Sequence, residues 1–348
     1  MAKVLKLSYF CKRCNTKFSI IMEKFNIANL PTRIQKLERF SKELGANIYI
    51  KRDDHTGSEI SGNKVRKLEY LVQDAVSKGC NLLITCGGIQ SNHCRATVVT
   101  ATLYGMKSAV LLRISDTPPV TGNYFIDRLL GADIKFCTRE EYSKQRGEIM
   151  EAMAEEYRKQ GYNPYIIPEG ASNAIGTLGY YNCMNEILEQ EKELGIKFNT
   201  IVVATGSGGT YAGLYLANEV KKLGRRVIGM AVCDDTEYFT NIAQNIATEA
   251  LEYLPEYKNE TLNRNNIEIN DKYVGIGYAL SRPEELEFIK KFARQEAIIL
   301  DPVYTGKAMY GVYNELQEGG NISKDDNILF IHTGGLFGLF PISETFPL

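Results

Sequence analysis

From about residue 64 the apolar positions fall into two alternating periods. Val65, Leu68, Val72, Ala75 and Val76 recur at helical spacing on one face, and Gly79 stands where that helix should stop. Leu82, Leu83 and Ile84 follow as the short apolar run of a buried strand. Arg95 to Tyr104 is rich in Ala and Val, helical in pattern, and closed by Gly105; Ala109 to Leu112 reads as the next strand. The alternation continues with strand patterns at Ile134–Cys137, Tyr165–Ile167, Ile201–Ala204, Val227–Val232 and Ile328–Ile331. Repeated strand–helix–strand units predict parallel sheets covered by helices, an α/β fold. Ligands of such sheets bind beyond the carboxyl ends of the strands, so the loops after strands are where chemistry is sought. No internal repeat and no low-complexity linker marks a domain boundary.

The chain has 348 residues, which suggests about two domains. A net charge of −1 gives no reason to expect nucleic acid or an anionic membrane as partner. No apolar run reaches the roughly 18 residues of a membrane span. Eight cysteines are scattered through the chain without a secretory signal, so reduced thiols and a cytoplasmic location are expected. Cys11 and Cys14 form a C-x-x-C pair, but no second pair or His cluster completes a zinc site, and incidental thiols are the simpler reading. Residues 1–21 carry Lys3, Lys6, Lys12, Arg13 and Lys17 and no acid, which is faintly like an organellar presequence. Ser and Arg are scarce there, which favours a plain extension ahead of Met22.

Four loops carry candidate chemistry. In Ser61-Gly62-Asn63-Lys64-Val65-Arg66-Lys67, Lys64 opens a helix, where the dipole disfavours a cation. A solvated lysine is the ordinary reading; a lysine that must lose its proton to react with an aldehyde is the sharper one, helped by positive neighbours such as Arg66 and Lys67. Gly87-Gly88-Ile89-Gln90-Ser91-Asn92-His93 follows a strand and opens a helix whose first N–H groups could hold a carboxylate. Ser91 or Asn92 could instead be a simple cap, though the polar run is longer than a cap requires. Thr205-Gly206-Ser207-Gly208-Gly209-Thr210 lies between a strand and a helix and can form a phosphate nest. It is neither a Walker loop nor a good dinucleotide fingerprint, since Tyr211 stands where the third glycine belongs. The fourth region joins Asp301-Pro-Val-Tyr304-Thr305-Gly-Lys307 to His332-Thr333-Gly-Gly335. Its tyrosine is either packing or an acid–base group. A phosphate nest, a carboxylate nest and a lysine at a helix start together suit an amino acid carried on pyridoxal 5′-phosphate (PLP).

These motifs, with Lys51-Arg-Asp-Asp54, resemble those of the D-cysteine desulfhydrase and 1-aminocyclopropane-1-carboxylate (ACC) deaminase family, PLP enzymes of the tryptophan-synthase-β fold type. The resemblance runs from about Asn29 to Phe340. It implies two parallel-sheet α/β domains with PLP between them. Residues 22–66 and 173–348 would form the large domain and 67–172 the small one. It implies that Lys64 forms the internal aldimine, that Ser91, Asn92 and His93 hold the substrate carboxylate, and that Thr205 to Thr210 form the phosphate cup. Tyr278 and Tyr304 match two active-site tyrosines and Thr333 the residue facing the pyridine nitrogen; a protonated Lys67 near the substrate would be an electrostatic aid, with a solvated surface lysine as the plain alternative. A homodimer acting on a small amino acid is implied as well.

Within the family, the substrate expectation turns on three positions. ACC deaminases that resemble this chain carry Glu where Thr305 stands, Leu where Thr333 stands, and Gln where His93 stands. All three departures point to the desulfhydrases, and so to β-elimination of D-cysteine; ACC deamination is the alternative. A dinucleotide-binding oxidoreductase using Gly206 to Gly209, with Asp234 or Asp235 on the ribose, and a non-catalytic PLP-binding protein are the rivals from other classes.

Overall fold

A computed structural model describes residues 22–317 and 319–348. The basic extension and the Cys11/Cys14 pair lie outside the described residues. In chain order the strands and helices are β1 (Ile34–Lys36), α1 (Glu38–Leu44), β2 (Asn47–Lys51), α2 (Lys64–Ser77), β3 (Leu82–Gly88), α3 (Asn92–Leu103), β4 (Lys107–Arg113), α4 (Gly122–Leu129), β5 (Asp133–Cys137), α5 (Arg139–Lys159) and β6 (Pro164–Ile166). They continue as α6 (Ala174–Leu194), β7 (Thr200–Thr205), α7 (Gly209–Val220), β8 (Arg226–Ala231), α8 (Thr236–Ala250), β9 (Glu268–Asn270), α9 (Pro283–Glu296), α10 (Thr305–Glu315) and β10 (Asn327–Ile331).

Two sheets result. The larger runs β1-β2-β10-β7-β8-β9 and the smaller β5-β4-β3-β6. Every pair is parallel except β1 with β2. The expected parallel α/β sheets are thus present, with one antiparallel strand added at an edge of the larger. Period-two alternation explains the layers. Ile201, Val203, Leu329 and Ile331 point into a core shared with Leu71 of α2, Tyr180 of α6 and Leu214 of α7. Val202, Ala204, Ile328 and Phe330 point the other way, onto Phe40 of α1, Phe292 of α9 and Met309 of α10. With both faces covered, these strands read as unbroken apolar runs. In the small sheet, Leu82, Ile84 and Leu111 pack on Met150 and Met153 of α5, while Val110 and Leu112 meet Cys94 and Val98 of α3.

The strands run close to the expected ones, most of them a residue or two longer at one end or both. Strands β1, β2 and β9 were not expected. Ile48 and Ile50 alternate as β2 requires, but the run is five residues long, and β9 has only three. Helix α2 packs on both α6 and α3, so it joins the two sheets. The expected domain boundary at residue 67 falls inside this one continuous helix. Among the described residues, no helix is long and apolar enough to cross a membrane.

Candidate active site

A cavity opens at the carboxyl ends of β3, β6, β7 and β10, lined by Lys64, Ser91, Asn92, His93, Glu169, Thr205 to Gly208, Thr210, Tyr278, Tyr304 and Thr333 among others. Lys64 is the first residue of α2. Its Nζ donates to Asn63 Oδ1 at 3.0 Å. Asn63 in turn donates its Nδ2 to Thr210 Oγ1 at 2.9 Å and its N–H to the Thr333 carbonyl at 3.1 Å. One asparagine thus ties the lysine loop to the glycine loop and to the loop after β10. Gly62 permits this approach: its φ is +107°, and a Cβ there would stand 2.7 Å from the Thr333 oxygen.

Burial pushes the Lys64 amine down to about 8; Asp301 and Glu169 oppose this, and Arg95 adds to it. The expected help from Arg66 is corrected. Its guanidinium forks onto Asp53 at 2.8 Å on both oxygens and reaches Glu186 at 3.0 Å, so its charge is neutralised beneath α2. Lys67 is corrected too. It is fully buried behind the cavity wall, with Nζ bonded to the Gly170 carbonyl at 2.8 Å and Ser172 Oγ at 3.2 Å. Burial and the nearby Lys64 push its amine well below the ordinary lysine value.

The loop after β7 is built as an anion cradle. Among the described residues, no protein acceptor takes the N–H groups of Gly206, Ser207, Gly208 or Thr210. Such free N–H groups at a helix start hold phosphate. Gly208 has φ +82°, and a Cβ there would meet Ile242 Cγ2 at 2.5 Å. A Cβ on Gly206 would press on Tyr304 at 3.0 Å. Gly209 departs from the expected role, because its N–H already donates to Ser172 Oγ at 3.2 Å. The cradle fits a phosphate held by main-chain groups.

Facing it, Ser91 caps α3 by accepting the Cys94 N–H at 3.1 Å, so the capping and cavity-lining readings both hold. Asn92 Oδ1 accepts from Asn123 Nδ2 at 2.9 Å, which leaves its own amide donors for the cavity. His93 Nε2 lies 2.7 Å from Thr85 Oγ1, and that hydroxyl gives its single proton to the Ile167 carbonyl at 2.8 Å. Nε2 must then carry the ring proton, and Nδ1, which has no protein partner, presents a lone pair. Burial, with Lys64 and Lys67, pushes His93 well below its usual value and keeps it neutral.

The two tyrosines meet hydroxyl to hydroxyl at 2.6 Å. Burial pushes Tyr278 up to about 12 and Tyr304 well above the ordinary phenol value. Both stay protonated at neutral pH. One proton is used between them, so the pair keeps a second to donate. Tyr304 lies 5.8 Å, ring centroid to amine, from Lys64. Asp301 shapes this corner by accepting the N–H groups of Val303, Tyr304 and Thr305 at 2.8–2.9 Å. Lys307 reaches the carbonyls of Val274 and Gly277 at 2.6 and 2.7 Å, which fastens the Tyr278 loop to α10. Asn63, Asp301 and Lys307 sat inside motifs read from the sequence, but their supporting roles were missed. Glu169 belongs to none of those motifs; its one signal was an acid in the loop after a strand pattern.

A family model described as pyridoxal-phosphate dependent enzyme matches residues 26–334. The chain belongs to that family. It is 43% identical over 324 residues to the bifunctional D-cysteine desulfhydrase/1-aminocyclopropane-1-carboxylate deaminase, mitochondrial, of Arabidopsis thaliana, covering 91% of this chain and 79% of the relative. It is 41% identical over 323 residues to a Thermotoga maritima protein provisionally named a 1-aminocyclopropane-1-carboxylate deaminase, covering 92% and 99%. A crystal structure described as an ACC deaminase homologue superposes with a TM-score of 0.84 at 38% identity, covering 93% of this chain and 95% of that one. The fold is therefore that of the PLP-dependent, tryptophan-synthase-β type, the cofactor is PLP, and the chain is an enzyme of the ACC deaminase and D-cysteine desulfhydrase group.

Proposed function

We propose that this enzyme eliminates hydrogen sulfide from D-cysteine, releasing pyruvate and ammonia after addition of water. The observation that carries the reading is Thr305. It is fully buried, and its Oγ1 donates to Asp301 Oδ1 at 2.7 Å. Where the resemblance puts a glutamate in the deaminases, this chain has a hydroxyl used to shape the Tyr304 loop. The tyrosine corner of the cavity is thus left with neutral donors. Opening the ACC ring, which has no α-hydrogen, demands more of the site than removing an α-proton does.

PLP, when bound, supplies the electron sink for the charge left at the α-carbon. The N–H groups of Gly206, Ser207, Gly208 and Thr210 would hold its phosphate, and Lys64 would hold it covalently. Lys64 Nζ, with its proton affinity reduced by burial, takes the α-proton once free. Ser91 Oγ and the Asn92 amide orient the substrate carboxylate. His93 Nδ1 offers only a lone pair, so it suits a donor on the substrate rather than the carboxylate. The tyrosine pair hands its spare proton to the departing sulfur.

The deaminase reading keeps the support of names: the bifunctional Arabidopsis relative, the Thermotoga maritima relative and the ACC deaminase homologue of known structure. Sulfide, pyruvate and 2-oxobutanoate should be measured with D-cysteine, L-cysteine, β-chloro-D-alanine and ACC in parallel. We expect sulfide from D-cysteine and little 2-oxobutanoate from ACC; the reverse pattern sinks the assignment. With this reading go a cytoplasmic location and a homodimer. Such a dimer would give cover to exposed apolar side chains such as Phe125, Leu129 and Phe136.

A further inference from the structure

We infer that Arg95 is a positioning residue that locks the Lys64 loop to the carboxylate-binding loop. The inference rests on the PLP reading above, but Arg95 itself lines no part of the cavity. It stands on the first turn of α3 and is fully buried. One arm, Nη2, donates to the Ser61 carbonyl at 2.6 Å, three residues before Lys64. The other, Nη1, donates to Asn123 Oδ1 at 3.2 Å. Asn123 then donates its Nδ2 to Asn92 Oδ1 and to the Gln90 carbonyl, both at 2.9 Å. The guanidinium plane lies 4.6 Å from the Phe337 ring centroid, in the segment after β10. A single side chain thus fixes three loops that enclose the cofactor and substrate.

Stability alone does not account for this arrangement. A buried guanidinium is costly unless a carboxylate meets it. The buried carboxylate of Asp127 on α4 lies close enough to feel Arg95, yet neither of its oxygens, nor Arg95 Nε, has a protein hydrogen-bond partner. The arms of Arg95 go instead to a neutral carbonyl and a neutral amide in the two functional loops. Its charge also bears on Lys64. Facing that amine are Asp301 and Glu169, which favour its proton, and Arg95, which opposes it; Lys67, its own amine pushed well down by burial and by Lys64, and His93, kept neutral, lie nearby. Arg95 is itself faced by Asp127 and Glu59.

Three variants of the holoenzyme separate these roles: Arg95→Met, Arg95→Lys and Asn123→Ala. The visible band of the Lys64–cofactor linkage is titrated with pH, and KM and kcat are measured for D-cysteine. Arg95→Met should move the titration midpoint upward by about one unit, a tenfold change in proton affinity, and raise KM. Arg95→Lys keeps the charge but not the fork, so the midpoint should stay while KM rises. Asn123→Ala removes the bridge from Arg95 to Asn92 and to the Gln90 carbonyl but leaves the Ser61 contact, and should raise KM, with midpoint and kcat held. If Arg95→Met yields no folded protein, the other two decide. An unchanged KM in both, in folded protein with its band intact, overturns the inference. A missing band in the wild type would instead overturn the PLP reading of Lys64, so the two failures are distinct.

Discussion

Removing one hydroxyl from the tyrosine pair separates chemistry from packing. Tyr304→Phe and Tyr278→Phe each delete the same 2.6 Å hydrogen bond. Each leaves one buried phenol without its partner, a cost of about 1–3 kcal/mol. The two variants should therefore melt at similar temperatures, a few degrees below the parent, and a protein with the usual margin of roughly 5–15 kcal/mol stays folded. Their rates should differ. Tyr304 packs beside Lys64, with its ring centroid 5.8 Å from the amine, which places its phenol next to the reactive lysine. It is the natural donor to the departing sulfur. Loss of a positioned proton donor should lower kcat by roughly 10²–10⁴-fold, or about 3–5 kcal/mol in the barrier. The assay is sulfide release at saturating D-cysteine, with the visible band confirming bound cofactor and a thermal melt confirming the fold. Equal, small losses in both variants would refute the reasoning and reduce the pair to packing. A larger loss in Tyr278→Phe would reverse the assignment of the donor.

Other expectations are as specific. Lys64→Ala should lose the visible band and turnover together; turnover without a band would show that another group holds the cofactor. With its amine near 8, wild-type Lys64 should be about one-tenth unprotonated at pH 7, so capture of PLP by stripped protein should rise with pH, reach half its plateau near pH 8 and level off above about pH 9. Gly208→Ala must adopt a φ of +82° and press on Ile242, a strain of about 1–3 kcal/mol; unchanged PLP content after dialysis would count against the cradle. Asp53, held down to about 2 by Arg66 and Lys51 against the upward push of burial, is depressed in the folded state. Its stabilisation is complete above about pH 4 and is lost as pH falls towards 2. Asp53→Asn should therefore destabilise by about 3–5 kcal/mol at pH 7, and the gap to wild type should narrow in acid; a gap that stays constant would refute the pairing.

Much of the fold was legible because both faces of the central strands are covered. A parallel strand buried on two sides must be apolar at every position, and Ile201–Ala204 and Ile328–Ile331 announce themselves. The strands that escaped notice lie at or beside an edge of the large sheet. Chains there are short and half polar: β9 is Glu268-Ile269-Asn270. The site was legible for a related reason. Glycines where the main chain itself must bind, and a polar run just after a strand, are constraints carried by residue type, so Gly206, Gly208 and Ser91 could be found in one dimension.

What the sequence could not show is how distant charges divide among partners. Arg66 and Lys67 looked alike as cations near the reactive lysine, and Arg95, 31 positions on, gave no sign of bearing on it. Folding gives Arg66 to Asp53, which lies on the β2 side of the chain, 13 positions away. It buries Lys67 against the Gly170 carbonyl, 103 positions away. Of the three, Arg95 keeps an influence on Lys64 that is only weakly compensated, because the carboxylate of Asp127 is itself pushed up to about 7 by burial and makes no hydrogen bond to it. At neutral pH that carboxylate is only partly ionised. A weakly compensated cation behind the cavity wall lowers the amine's proton affinity further than burial alone would, without adding a positive side chain to the lining. Local sequence supplies the parts of this site; pairing across the two sheets decides which charge acts.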